Sequence, residues 1–251
     1  MTPRSDKLRI PALDFLRGCL ILMMLGYHFF WDLGYFGYIN FSSVVSGKGL
    51  LVAQCIGASF IFLSGISISL LFSSISFNGY VFLLKLIKIL GIAAIISLTT
   101  WLINPQSFIY FGILHLLSLC YLLAFFTLQF QTKFVVYIIL TTLYLVHTFE
   151  LKFDISPFWS WVGITKEIPL SNDFYPLIPW GIYFFIGIVF SDFLLKKIKT
   201  LNIENWLNNP DQLTLKLKII LWAGRKSLLI YICHQPLFFS LFLSFNALIS
   251  N

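Results

Sequence analysis

Residues 13–33 read LDFLRGCLILMMLGYHFFWDL, an apolar run long enough to cross a bilayer that nevertheless carries Asp14, Arg17, His28 and Asp32. A helix turns 100° per residue, so with Arg17 at zero Asp14 falls at about +60°, His28 at about +20° and Asp32 at about +60°. The four ionisable side chains therefore share one sixth of the circumference. From Asp14 to Asp32 the helix rises about 27 Å, close to the roughly 30 Å of a hydrocarbon core. Ionisable groups at that depth are expensive to hold, which makes a continuous, buried, functional polar track the first expectation.

The rest of the chain agrees with a membrane setting. Hydrophobic residues make up 59% of the 251 positions and charged residues only 11%, whereas a soluble domain carries about 25% charged residues. Mean hydropathy is +0.89. Candidate spans fall near 13–33, 49–73, 82–103, 108–129, 133–149, 176–195 and 226–247. The expected fold is all-α, a polytopic bundle of about seven transmembrane helices forming one domain over 1–251, with no internal repeat of the kind inverted-repeat transporters show. Asn208-Asn209-Pro210-Asp211 marks a turn ahead of a short helix near 212–222.

The basic residues orient these spans. With the N-terminus cytoplasmic, fourteen of the 17 Lys and Arg residues fall on the inner side, and Lys48, Lys152 and Lys166 alone on the outer. The net charge of +7 is thus a topology signal, and nucleic acid is not an expected partner. Cys19, Cys55, Cys120 and Cys233 lie in apolar runs at unrelated spacings, so neither a disulfide framework nor a metal site follows. The long first run, with no small-residue cleavage pattern behind it, reads as an uncleaved helix of a multi-pass inner-membrane protein.

On this topology His28 and Asp32 lie one turn apart in the outer half of the first span. A carboxylate at i+4 can accept from the imidazole and raise its basicity, a common way to build a general base; the plainer alternative is hydrogen-bonded glue between helices. Arg17, Arg225 and Lys226 lie near the cytoplasmic mouth, where they suit phosphates of a nucleotide-bearing donor or plain positive-inside anchoring. Arg17 can also pair with Asp14, three residues earlier. His234 stands about two turns into the last span, ahead of Pro236, which frees the carbonyl of Ile232. His115, at a depth near that of His28, is placed to position an acceptor or to bond between helices. Asp173 either meets an acceptor or caps a helix, and Trp180 either stacks on a sugar or belongs to an aromatic belt.

Five segments in order carry a resemblance: Arg9 to Gly18 continuing into His28-Phe29-Phe30-Trp31-Asp32; Phe62-Leu63-Ser64-Gly65; Tyr110-Phe111-Gly112-Ile113-Leu114-His115; Asp173 to Trp180; and Gly224-Arg225-Lys226-Ser227 with His234-Gln235-Pro236. Together they resemble the heparan-α-glucosaminide N-acetyltransferase-like family. The Arg17–His28 spacing is also similar to the opening of membrane O-acyltransferases that decorate bacterial polysaccharides. Both resemblances imply transfer of an acyl group from cytoplasmic acetyl-CoA or another acyl-CoA to a sugar, glycan or lipid-linked acceptor of the cell envelope, without a metal. They imply the first-helix histidine, His28, as the catalytic group; the placement of the residues themselves adds Asp32 as its assistant, Arg17, Arg225, Lys226 and His234 around the donor, and His115, Asp173 and Trp180 near the acceptor. The donor would enter between the first and last spans. From the residues alone, a proton-coupled transporter using the same polar stripe as a relay stays open.

Overall fold

A computed structural model describes residues 10–74, 77–128, 133–200 and 214–249. The described residues are predominantly helical, with no strand among them. In chain order the helices are α1 (Pro11–Tyr35), α2 (Phe41–Val45), α3 (Gly47–Phe72), α4 (Gly79–Ile103), α5 (Ile113–Leu128), α6 (Lys133–Thr148), a short 3₁₀ helix (Pro157–Val162), α7 (Leu177–Thr200), α8 (Leu215–Arg225) and α9 (Ser227–Ile249). Five of these, α1, α3, α4, α7 and α9, are long and apolar enough to cross a membrane, and α5 and α6 are shorter apolar helices. Every expected span thus corresponds to a helix of an all-α polytopic membrane protein. The Asn208–Asp211 turn lies outside the described residues.

The boundaries follow local chemistry. Pro11 opens α1, where its missing N–H would have had no helical partner. Asn78 caps α4 by accepting from the Val81 amide at 3.1 Å. The fourth span begins at Ile113 rather than near 108, because residues just before it are extended: Tyr175 donates to the Phe111 carbonyl at 2.9 Å and Asn172 to the Ser107 carbonyl at 3.1 Å. Thr214 caps α8, and Lys226 breaks the helix between α8 and α9, its amide reaching back to Trp222 and Ala223.

Two compact units emerge, one of residues 61–194 and the other of residues 9–60 with 195–251. In the first, α3 and α7 cross on glycines. A Cβ at Gly65 would strike the Phe184 carbonyl, and one at Gly187 the Phe62 carbonyl. One turn further on, Ser69 and Ser191 share a 2.8 Å hydrogen bond, and Phe184 and Phe185 are fully buried. This is the small-residue contact by which helices associate where no hydrophobic force separates protein from lipid. Gly65 therefore serves close approach, as the Ser64-Gly65 pair suggests.

The second unit is built on α1. Its lower half is crossed by α8, which approaches so closely that a Cβ at Gly18 would meet the Ile220 carbonyl and one at Gly224 the Asp14 carbonyl. Ile21, Met24, Ile56 and Ala223 then form a buried apolar cluster. Above it α1 packs along α9 through aromatic pairs, among them Phe29 with Phe238 and Phe36 with Phe242.

Candidate functional site

The polar stripe of α1 faces α8 and α9. Asp14, only 4% exposed, lies 3.5 Å from the Arg17 guanidinium and 3.5 Å from that of Arg225. One carboxylate is thus held between two guanidiniums. The Asp14–Arg17 pair expected from spacing is present, and Arg225 joins it. Lys226, at the α8–α9 break, is exposed.

Higher on the same face, His28 meets His234, with ring centroids 4.7 Å apart and planes tilted by 55°. Asp32 is completely buried and accepts from Gln235 Nε2 at 2.8 Å. The expected His28–Asp32 hydrogen bond does not form among the described residues. Asp32 Oδ1 is taken by an amide from α9, while the His28 ring turns toward a second imidazole. Asp32 Oδ2, His234 Nε2 and Gln235 Oε1 are buried and have no hydrogen-bond partner. Orphaned polar atoms are costly in a protein interior, and three of them stand here on adjoining turns of α1 and α9.

The stripe is not continuous. Ile21 and Met24 lie between Arg17 and His28 on the same face, exposed by 1% and 5%, and pack on Ala223. This apolar plug divides the expected track into an ionic cluster below and a histidine cluster above. Helical angles alone hid it, because Ile21 falls at about +40°, inside the sector of the ionisable groups. Along this face neither a donor molecule nor a side-chain proton relay passes from one cluster to the other.

His234, expected beside the donor, is held by its Nδ1, 2.7 Å from the Tyr231 carbonyl. A carbonyl only accepts, so Nδ1 carries the proton and Nε2 the lone pair. Gln235 is the member of this cluster that sequence reasoning underrated. Its only signal is its place between His234 and Pro236, since nothing local announces a partner on α1.

The remaining expected residues belong to the other unit. His115 is satisfied on both nitrogens: Nδ1 accepts from the Gly112 amide at 3.2 Å, and Nε2 is 3.2 Å from Ser97 Oγ, which itself donates to the Ile109 carbonyl at 2.6 Å. It fixes the turn before α5. Asp173 Oδ2 accepts from the Ile113 amide at 3.1 Å, so it caps α5 rather than α7, the helix it precedes in sequence. Trp180 packs on Tyr175, ring centroids 4.6 Å apart. All four cysteines are free, and no group of three metal-ligating side chains occurs among the described residues.

The model of one protein family matches this chain: heparan-alpha-glucosaminide N-acetyltransferase, catalytic, over residues 9–236. No curated protein and no solved structure matches. The matched residues hold both clusters of α1 and extend through Pro236 of α9.

Proposed function

The chain belongs to the heparan-alpha-glucosaminide N-acetyltransferase catalytic family, and from that premise we propose that it moves an acetyl group from cytoplasmic acetyl-CoA to a sugar or other envelope acceptor on the outer side of the inner membrane. The observation that carries this reading is the buried histidine cluster. Two imidazoles, a carboxylate and an amide stand together in a helix pair otherwise lined by aliphatic and aromatic side chains.

In this reading His28 is the general base. It takes the proton of the acceptor amine or hydroxyl as that group attacks the thioester carbonyl. Asp32, oriented by Gln235, supplies a fixed negative field beside the imidazolium that develops, where low dielectric makes such a field effective. Arg17, Arg225 and exposed Lys226 hold phosphates of the donor, Arg being suited to do so in bidentate fashion. Because Ile21, Met24 and Ala223 close the seam of α1 with α8, the thioester reaches His28 by another route. Asp173 and Trp180, in the other unit, serve there as the cap of α5 and as a ring packed on Tyr175.

Purified protein in lipid nanodiscs, given radiolabelled acetyl-CoA and envelope glycan or lipid extracts, tests the reading. His28→Ala is expected to lower transfer by about 10²-fold or more, the usual contribution of a general base. A folded His28→Ala protein working at the wild-type rate removes the mechanism. Mass analysis of envelope glycans and lipids from cells with and without the protein identifies the acceptor by its missing acetyl group.

A further inference from the structure

We propose that His234 is the proton-relay partner of His28, taking up on Nε2 the proton that His28 removes from the acceptor and handing it back for release of the thiol. The inference rests on the acetyl-transfer reading and adds to it a residue on a second helix.

Three observations carry it. The first is proximity: the His28 and His234 rings lie 4.7 Å apart by centroid, without a direct hydrogen bond between them, a spacing that one bridging water spans. The second is the tautomer. The Tyr231 carbonyl, 2.7 Å from Nδ1, keeps the proton on that atom and leaves Nε2 as a lone-pair acceptor. The third is vacancy in the hydrogen-bonding sense, for Nε2 is buried and unpartnered in a residue only 6% exposed. His115 supplies the contrast within the same chain. A structural histidine here has both nitrogens engaged, and His234 does not.

The surroundings explain why a relay is needed. Asp32 accepts from Gln235 on Oδ1 and makes no hydrogen bond to His28. Tyr27, whose ring also touches His28, directs its hydroxyl to the Val44 carbonyl. The rings of Tyr231 and Phe238 flank His234 and limit water. His234 is thus the base on a second helix whose ring meets His28.

The step balances. The acceptor atom attacks the thioester carbonyl carbon, its new bond to that carbon forms and the carbon–sulfur bond breaks, with the electron pair leaving on sulfur. The acceptor's proton goes to one nitrogen of His28, and the proton on the other nitrogen of His28 goes to His234 Nε2. The reverse movement then delivers a proton to the thiolate. No electron or proton is gained from outside.

The test uses His234→Asn and His234→Ala in the full-length protein. Asparagine keeps an N–H for the Tyr231 carbonyl but has no atom at the Nε2 position, so it separates anchoring from proton transfer, and a monodisperse gel-filtration peak verifies the fold. Both variants are expected to lose about 10²-fold in kcat with the KM for acetyl-CoA changed by no more than about twofold, and free imidazole is expected to restore part of the His234→Ala rate. His234→Asn at the wild-type kcat, or a change confined to KM, overturns the proposal. If His28→Ala is inactive while His234→Asn is fully active, the relay alone falls; if His28→Ala is fully active, the acetyl-transfer mechanism falls and takes the relay with it.

Discussion

Gln235 donates its side-chain amide to Asp32 Oδ1 at 2.8 Å, joining positions 203 apart in the chain and tying the upper end of α1 to α9. The bond fixes a carboxylate that has no exposure to solvent, so its loss is felt both in stability and in the geometry of the histidine pair beside it.

Replacing Gln235 with Leu keeps the volume and removes the donor. Asp32 is then buried without a partner on either oxygen, and stability is expected to fall by about 1–3 kcal/mol. Asp32→Asn in the same background is expected to recover part of it. Thermal unfolding in detergent for the two single variants and the double variant measures the coupling; additive effects would mean that the bond contributes nothing.

Asp14 sits between two guanidiniums of unequal exposure, 28% for Arg17 and 45% for Arg225. Removing either Arg costs little, about 0–1 kcal/mol, because a half-exposed pair is screened by solvent. Asp14→Asn leaves the two cations facing each other and is expected to destabilise more than either Arg→Ala change. The comparison is made by melting temperature at low and high salt, with the Asp14→Asn defect shrinking as salt rises.

The glycines of α1 are not equivalent. At Gly18 an added Cβ meets backbone of α8, whereas nothing lies within 4 Å of one at Gly26. Gly18→Ala is expected to force α8 off α1 and abolish a stable fold. Gly26→Ala is expected to be neutral or to stabilise the helix by about 0.5–1 kcal/mol. Expression and gel filtration of the pair distinguish a close helix crossing from a general intolerance of α1 to substitution.

His115→Ala separates structure from chemistry in the other unit. It strips the Gly112 amide and Ser97 of a partner, so the melting temperature should drop, while kcat per folded molecule stays near the wild-type value. A kcat loss of about 10²-fold without a stability change would restore His115 to the acceptor-side role expected from its depth.

The spans were legible because each apolar run is continuous and bounded by Asn, Pro or Gly signals, and bilayer thickness sets their length. The exception was the start of α5, where pairing of residues 107–111 with 172–175 replaced the first helical turn. The histidine centre was half legible. The stripe on α1 named His28 and Asp32, but their partners His234 and Gln235 lie on α9, and helical periodicity says nothing about which face meets which.

The sequence by itself determined that the chain is a membrane-crossing α-helical protein with ionisable groups gathered on one face of α1, since hydrophobicity, helical period and charge are local properties. Only the tertiary structure decided that this face is covered by α8 and α9, that Ile21 and Met24 interrupt it, and that His28 answers to His234 rather than to Asp32. Those outcomes depend on glycine contacts and on hydrogen bonds between residues distant in sequence, where side chains compete for the same partner and packing settles the choice.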